Sequence, residues 1–131
     1  MSLHGTALAT TARLLQQLRG LHEFMLLSTC NRMELFAVAS TERDVESAVL
    51  RLLGFAGLRR REFYVRRGPA AFAHVAALCA GLLSQARGET RIAAQVKAAL
   101  AAALTTGTAG GALREWLSAA QFIAKELRTQ T

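Results

Sequence analysis

Cys30 stands in the run Ser28-Thr29-Cys30-Asn31-Arg32-Met33-Glu34, just past an apolar stretch and two residues ahead of a cation. A guanidinium that close favours thiolate over thiol, and the thiolate is the nucleophilic form. Phe24 to Leu27 reads as a short buried strand and Glu34 to Ala39 as a second. The thiol, the Thr29 hydroxyl, the Asn31 amide and Arg32 therefore fall on a polar turn held up by a hydrophobic base, where folds present reactive groups. The competing reading is a strand-end core cysteine with Asn31 as a turn former, because an unpaired Cys is commonly buried and inert.

The elements that must hold this turn follow from apolar spacing. Leu8, Ala12, Leu14, Leu15 and Leu18 make a helical stripe over Thr6 to Leu18 that stops near Gly20. Thr41 is a good cap for a helix from about Glu42 to Leu53, closed by Gly54 and Gly57. Glu62 to Arg66 reads as a third strand. Beyond Gly68-Pro69 the chain turns Ala-rich. Phe72, Val75, Cys79 and Leu82 mark one core-facing helix, and Ile92, Val96, Leu100 and Leu104 a second. Leu113, Trp116, Leu117, Ala120, Ile123, Ala124 and Leu127 mark a third. The fold class is α+β: a small antiparallel sheet with helices on one side, an incomplete ferredoxin-like unit, then a three-helix portion. Two subdomains are expected, residues 1–68 carrying the Cys30 turn and residues 69–131 helical.

Composition narrows the class. At 131 residues with 52% hydrophobic content, one compact unit with a sizeable core is expected. The two cysteines have no zinc-like spacing and suggest no disulfide framework, so a reducing, cytoplasmic location is expected. No uncharged apolar run approaches the length of a membrane span, which predicts a soluble chain without membrane partners. The formal charge of +7 is uneven, with Arg51, Arg59, Arg60, Arg61, Arg66 and Arg67 opposed locally only by Glu62. Such a cluster suits phosphates as well as it suits a solvated surface. Phe63 and Tyr64 within it do not make a convincing base-stacking platform.

Three ordered blocks carry a family resemblance. The first is Ser28-Thr29-Cys30-Asn31-Arg32-x-Glu34. The second is His74, Gly81-Leu82-x-Ser84, Gly88-Glu89-x-x-Ile92 and Gln95-Val96-Lys97. The third is Gly107-Thr108, Leu113, Ala124-Lys125 and Arg128-Thr129-x-Thr131. Together they resemble the glutamyl-tRNA reductases, over about residues 24 to 131. The resemblance implies an NADPH-dependent oxidoreductase of tetrapyrrole (5-aminolevulinate, porphyrin and heme) biosynthesis. In such an enzyme Cys30 attacks glutamyl-tRNA, and the resulting thioester is reduced to glutamate-1-semialdehyde. It implies Cys30 and His74 as catalytic residues, and Thr29, Asn31, Arg32, Ser84, Glu89 and Arg91 as substrate-binding ones. A planar guanidinium at Arg32 suits the glutamate carboxylate. It implies no metal.

The resemblance also implies partners and limits. Glutamyl-tRNA is the substrate and glutamate-1-semialdehyde aminomutase a partner, while homodimerisation belongs to the full-length enzyme. The family's nucleotide-binding domain is not matched, and Gly107-Thr108-Ala109-Gly110-Gly111 joins two helices without following a strand. NADPH is therefore expected on the full-length enzyme and not on this chain, which alone is expected not to complete the reduction. Leu83 replaces the family's acidic residue before Ser84, and Arg91 replaces its glutamine after Glu89. Taken without the family, His74 reads as a partly buried helix histidine, and Gly88-Glu89 as a helix stop with an N-terminal acid. The alternative function is a non-catalytic tRNA- or protein-binding remnant of that family, with a general basic RNA-binding domain a weaker third.

Overall fold

Gly20, with φ of 85°, lets the chain reverse from a helix into a strand where a side chain would be strained. The helix before it is α1 (Gly5–Gln16), and the strand after it is β1 (Leu21–Ser28). Strand β2 (Met33–Ala39) pairs antiparallel with β1. Among the described residues the helices that follow are α2 (Glu42–Phe55), α3 (Gly68–Cys79), α4 (Ile92–Thr106) and α5 (Gly111–Gln130). This computed structural model describes residues 5–28, 33–39, 42–55, 66, 68–81 and 92–130. The Thr41 cap and Gly57 lie outside the described residues. So does the expected third strand apart from Arg66, which is exposed. Helix α2 runs through Gly54 instead of stopping there.

The architecture is α+β, and it corrects one expectation: helices cover both faces of the β1–β2 hairpin, not one. Met25, Leu27 and Phe36 are buried in a core built with α3, α4 and α5. Phe24 is buried on the other face with Leu15 of α1 and Val45 and Val49 of α2, and Leu26 and Leu35 pack against them. Successive strand residues point to opposite faces, so an apolar run as continuous as Phe24-Met25-Leu26-Leu27 demands cover on both. The helix stripes are narrower than the sequence suggests. Leu14 and Ile123, each next to a buried stripe residue, face outward. No helix among the described residues is long and apolar enough to cross a membrane.

The larger core holds several fully buried side chains. Leu117 on α5 is fully buried in it. Leu117→Ala is expected to cost about 3 kcal/mol, combining lost transfer free energy with an unfilled cavity. Urea unfolding followed by circular dichroism would read this as a lower midpoint with an unchanged slope.

A carboxylate ties the sheet to the last helix. The β1–β2 register slips between Leu21 and Glu23, so His22 is an extra residue in β1. That bulge reverses the alternation, which is why Leu21 joins Phe24 in the smaller core although they are three residues apart. Glu23 lies on the Met25 and Leu27 side. There its Oε1 accepts hydrogen bonds from the backbone amides of Gly110 and Leu113, both at 2.8 Å. It thus caps α5 from a distant strand, satisfying amides that a helix leaves without partners. Gly110 has no side chain because a Cβ there would sit 3.3 Å from the Glu23 carboxyl. Next to the cap, Gly107 (φ 85°) ends α4, and the Thr108 amide donates back to the Ala103 carbonyl at 2.9 Å. The Thr108 carbonyl then accepts from the Phe24 amide at 2.8 Å, docking the α4–α5 connection on β1.

Partial burial pushes the Glu23 carboxyl upward. The amides of Leu113, Gly110 and Ala112, with the charge of His22, outweigh this and hold it below its ordinary 4.5. A lowered native pKa stabilises the fold in full above the unfolded value and is lost as pH falls through the native one. Glu23→Gln is expected to cost about 1 kcal/mol at neutral pH. The gap from the parent should close as pH drops below 4.5 and through the native value. Urea midpoints measured from pH 7 to pH 3 would check this, and a gap independent of pH would contradict it.

Candidate functional site

The closing pair of the hairpin is Ser28 opposite Met33. The four residues that join them, Thr29, Cys30, Asn31 and Arg32, lie outside the described residues, as do Ser84, Glu89 and Arg91. Of the residues singled out from the sequence, the structure describes His74. It brings His74 against Glu34, the last residue of the first motif block.

Glu34 sits opposite Leu27, one pair in from the turn. It shares a sheet face with Phe36, whose ring is buried toward the helices. Helix α3 approaches that face, with Val75 and Cys79 buried and Phe72 packed against the core. His74 lies beside that stripe, near the sheet. Its Nε2 is 2.9 Å from Glu34 Oε1, and the two side chains are 20% and 16% exposed. An aromatic cluster fixes the elements around the pair. The Trp116 ring of α5 lies 5.8 Å from Phe72 in an edge-on contact and 6.4 Å from Phe36 at a tilt. Strand β2, α3 and α5 are thereby held to one another around the carboxylate–imidazole contact.

The chemistry of the pair is legible from its donor pattern. A carboxylate only accepts, so the contact calls for the Nε2–H tautomer of His74, with Nε2 donating to Glu34 Oε1. That leaves Nδ1 as the ring nitrogen that can take or give a proton. A partly exposed imidazole with a carboxylate fixing its tautomer is an arrangement suited to proton transfer. Sequence reasoning placed Glu34 inside the motif but gave it no role. Cys79 is buried at 2% exposure, as its place on the core stripe suggests. No group of three or more His, Cys, Asp or Glu among the described residues could hold a metal ion.

The family model described as glutamyl-tRNAGlu reductase, N-terminal domain, matches residues 2–131. The chain belongs to this family. Among curated relatives, the glutamyl-tRNA reductase of Desulfotalea psychrophila is 38% identical over 122 residues, covering 89% of this chain and 28% of the relative. That of Aquifex aeolicus is 38% identical over 114 residues, covering 85% and 28%. That of Geobacter sulfurreducens is 34% identical over 134 residues, covering 96% and 30%. The chain thus spans less than a third of the length of these reductases.

Gly107 to Gly111 form a glycine-rich connection between α4 and α5. A dinucleotide site offers helix N-terminal amides to a pyrophosphate. Here the Gly110 and Leu113 amides at the start of α5 are already bonded to the Glu23 carboxylate. A pyrophosphate would meet a negative charge in place of donors, so this connection does not fit the cofactor.

Proposed function

We propose that this chain is the catalytic-domain portion of a glutamyl-tRNA reductase, in which Cys30 takes the glutamyl group from glutamyl-tRNA. The Cys30 thiolate attacks the carbonyl carbon of the aminoacyl ester. A carbon–sulfur bond forms, the bond from that carbon to the tRNA ribose oxygen breaks, and the departing oxygen takes up a proton. His74 Nδ1, having taken the Cys30 thiol proton as the thiolate forms, delivers it there, with its ring held by Glu34. Arg32 pairs with the side-chain carboxylate of the substrate. Thr29, Asn31, Ser84, Glu89 and Arg91 complete the glutamate pocket.

The acyl group then sits as a thioester, a better hydride acceptor than the oxygen ester it came from. In the full-length enzyme NADPH would supply the hydride that turns this thioester into glutamate-1-semialdehyde for tetrapyrrole synthesis, with the Cys30 thiolate as the leaving group. A cytoplasmic setting, dimerisation of the full-length enzyme and hand-over of the aldehyde to an aminomutase belong to the same reading.

One observation carries this proposal beyond family membership: the 2.9 Å contact that sets His74 against Glu34, one residue pair in from Ser28 and Met33, which flank the segment containing Cys30 in sequence. The test is intact-mass spectrometry after incubation with glutamyl-tRNA. A glutamyl mass increase localised to the Cys30 peptide is expected. Folded protein that stays unmodified would refute the catalytic reading and leave the binding remnant.

A further inference from the structure

Helices α4 and α5 both rest on α3 and leave a groove of about 390 Å³ between them. Its walls are Ala93, Ala94 and Lys97 on α4 and Ser118, Gln121, Phe122 and Lys125 on α5, with Cys79 of α3 at the base. The α5 residues recur at i, i+3, i+4 and i+7, so one continuous stripe faces the opening. The Gln121 amide reaches across to the Ala93 carbonyl at 3.4 Å. This groove is separate from the His74–Glu34 pair, since Cys79 lies five residues beyond His74 and about 140° further round α3.

Three features define what fits it. Lys97 and Lys125 are both exposed, and among the described residues neither takes part in an ion pair. The described lining contains no carboxylate. Phe122 leaves 63% of its surface in solvent on the same helix as Lys125. Paired cations with an exposed aromatic ring match a phosphate backbone whose neighbouring base is unstacked.

We propose that the α4–α5 groove is an RNA-docking surface. In it Lys97 and Lys125 neutralise backbone phosphates, Phe122 stacks on a base, and Ser118 and Gln121 hydrogen-bond to ribose or phosphate oxygens. The identification of that RNA as the substrate tRNA rests on the function proposed above; the binding itself does not.

The test measures binding of uncharged glutamate tRNA by fluorescence anisotropy over a salt series, so that no step at Cys30 is involved. Lys97→Ala/Lys125→Ala is expected to weaken binding roughly tenfold and to lower the log–log salt slope by about 1.5. Phe122→Ala should weaken it by a similar factor without changing the slope. Arg13→Ala/Arg19→Ala, two exposed cations before β1, removes the same charge elsewhere and should leave binding near that of the parent. Lys97→Gln/Lys125→Gln provides a second pair should the alanine pair fold poorly. Lysine variants that bind like the parent, or a control pair that loses as much, would overturn the proposal. So would a polyglutamate peptide that displaces tRNA at equal charge concentration, since it would point to an acidic protein partner. Groove-dependent binding with an unmodified Cys30 would sustain the docking surface while the acyl-transfer reading fails.

Discussion

Cys30→Ala is expected to leave no glutamyl adduct after incubation with glutamyl-tRNA, at any enzyme concentration at which the parent is fully modified. The reasoning is that acyl transfer needs a nucleophile ionised near neutral pH. A thiol with an ordinary pKa of about 8.5 and a cationic neighbour meets that need, whereas a methyl group offers nothing and a serine hydroxyl stays protonated. Cys30→Ser should therefore fail as well, which separates nucleophilicity from shape. The chain supplies its own control, because its other cysteine, Cys79, is buried in the helical core. Cys79→Ala should form the adduct at the parental level. An adduct surviving in Cys30→Ala would remove Cys30 from the chemistry.

His74→Ala is expected to slow adduct formation by roughly 10²–10⁴-fold, the range lost with a general acid or base. Glu34→Gln should slow it less, up to about 10²-fold, since it leaves the imidazole in place but loosens its aim and tautomer. Single-turnover adduct formation, read by rapid quench and mass spectrometry, measures both. Affinity for uncharged tRNA should stay unchanged in each, because a proton-transfer residue and its positioning partner act on the rate. A loss confined to affinity would reassign the pair to substrate binding. Both side chains are partly exposed, so neither substitution opens a core cavity.

Why the two pairs that organise the site escape the eye in the sequence is a matter of distance along the chain. The hairpin strands and the helices α3 to α5 follow from local apolar spacing, and each sits within a few residues of where that spacing puts it. That both faces of the sheet need cover is also written locally, in the unbroken run from Phe24 to Leu27. His74 and Glu34 each attract notice, one in each of two motif blocks, but 40 residues separate them and no periodicity links them. Glu23 attracts none. It sits in a strand as an ordinary half-buried acid, and the amides it satisfies belong to residues 87 and 90 positions later. A helix cap normally lies within a turn of the helix it serves, so a cap lent by a distant strand has no sequence pattern of its own. The α5 groove stripe is hidden for a different reason: Ser118, Gln121 and Lys125 share the spacing of a buried face but not its polarity, so they read as a solvated side.

The bond from Glu23 to the start of α5 bears on the order of events during synthesis. A two-stranded hairpin is marginal in water until both of its apolar faces are covered. The face bearing Met25, Leu27 and Phe36 gains its cover from α3, α4 and α5. Its anchoring carboxylate has no partners until Gly110 and Leu113 have left the ribosome. A nascent chain halted before that point would hold strands β1 and β2 without this anchor, and the sheet would gain it only as the start of α5 emerges.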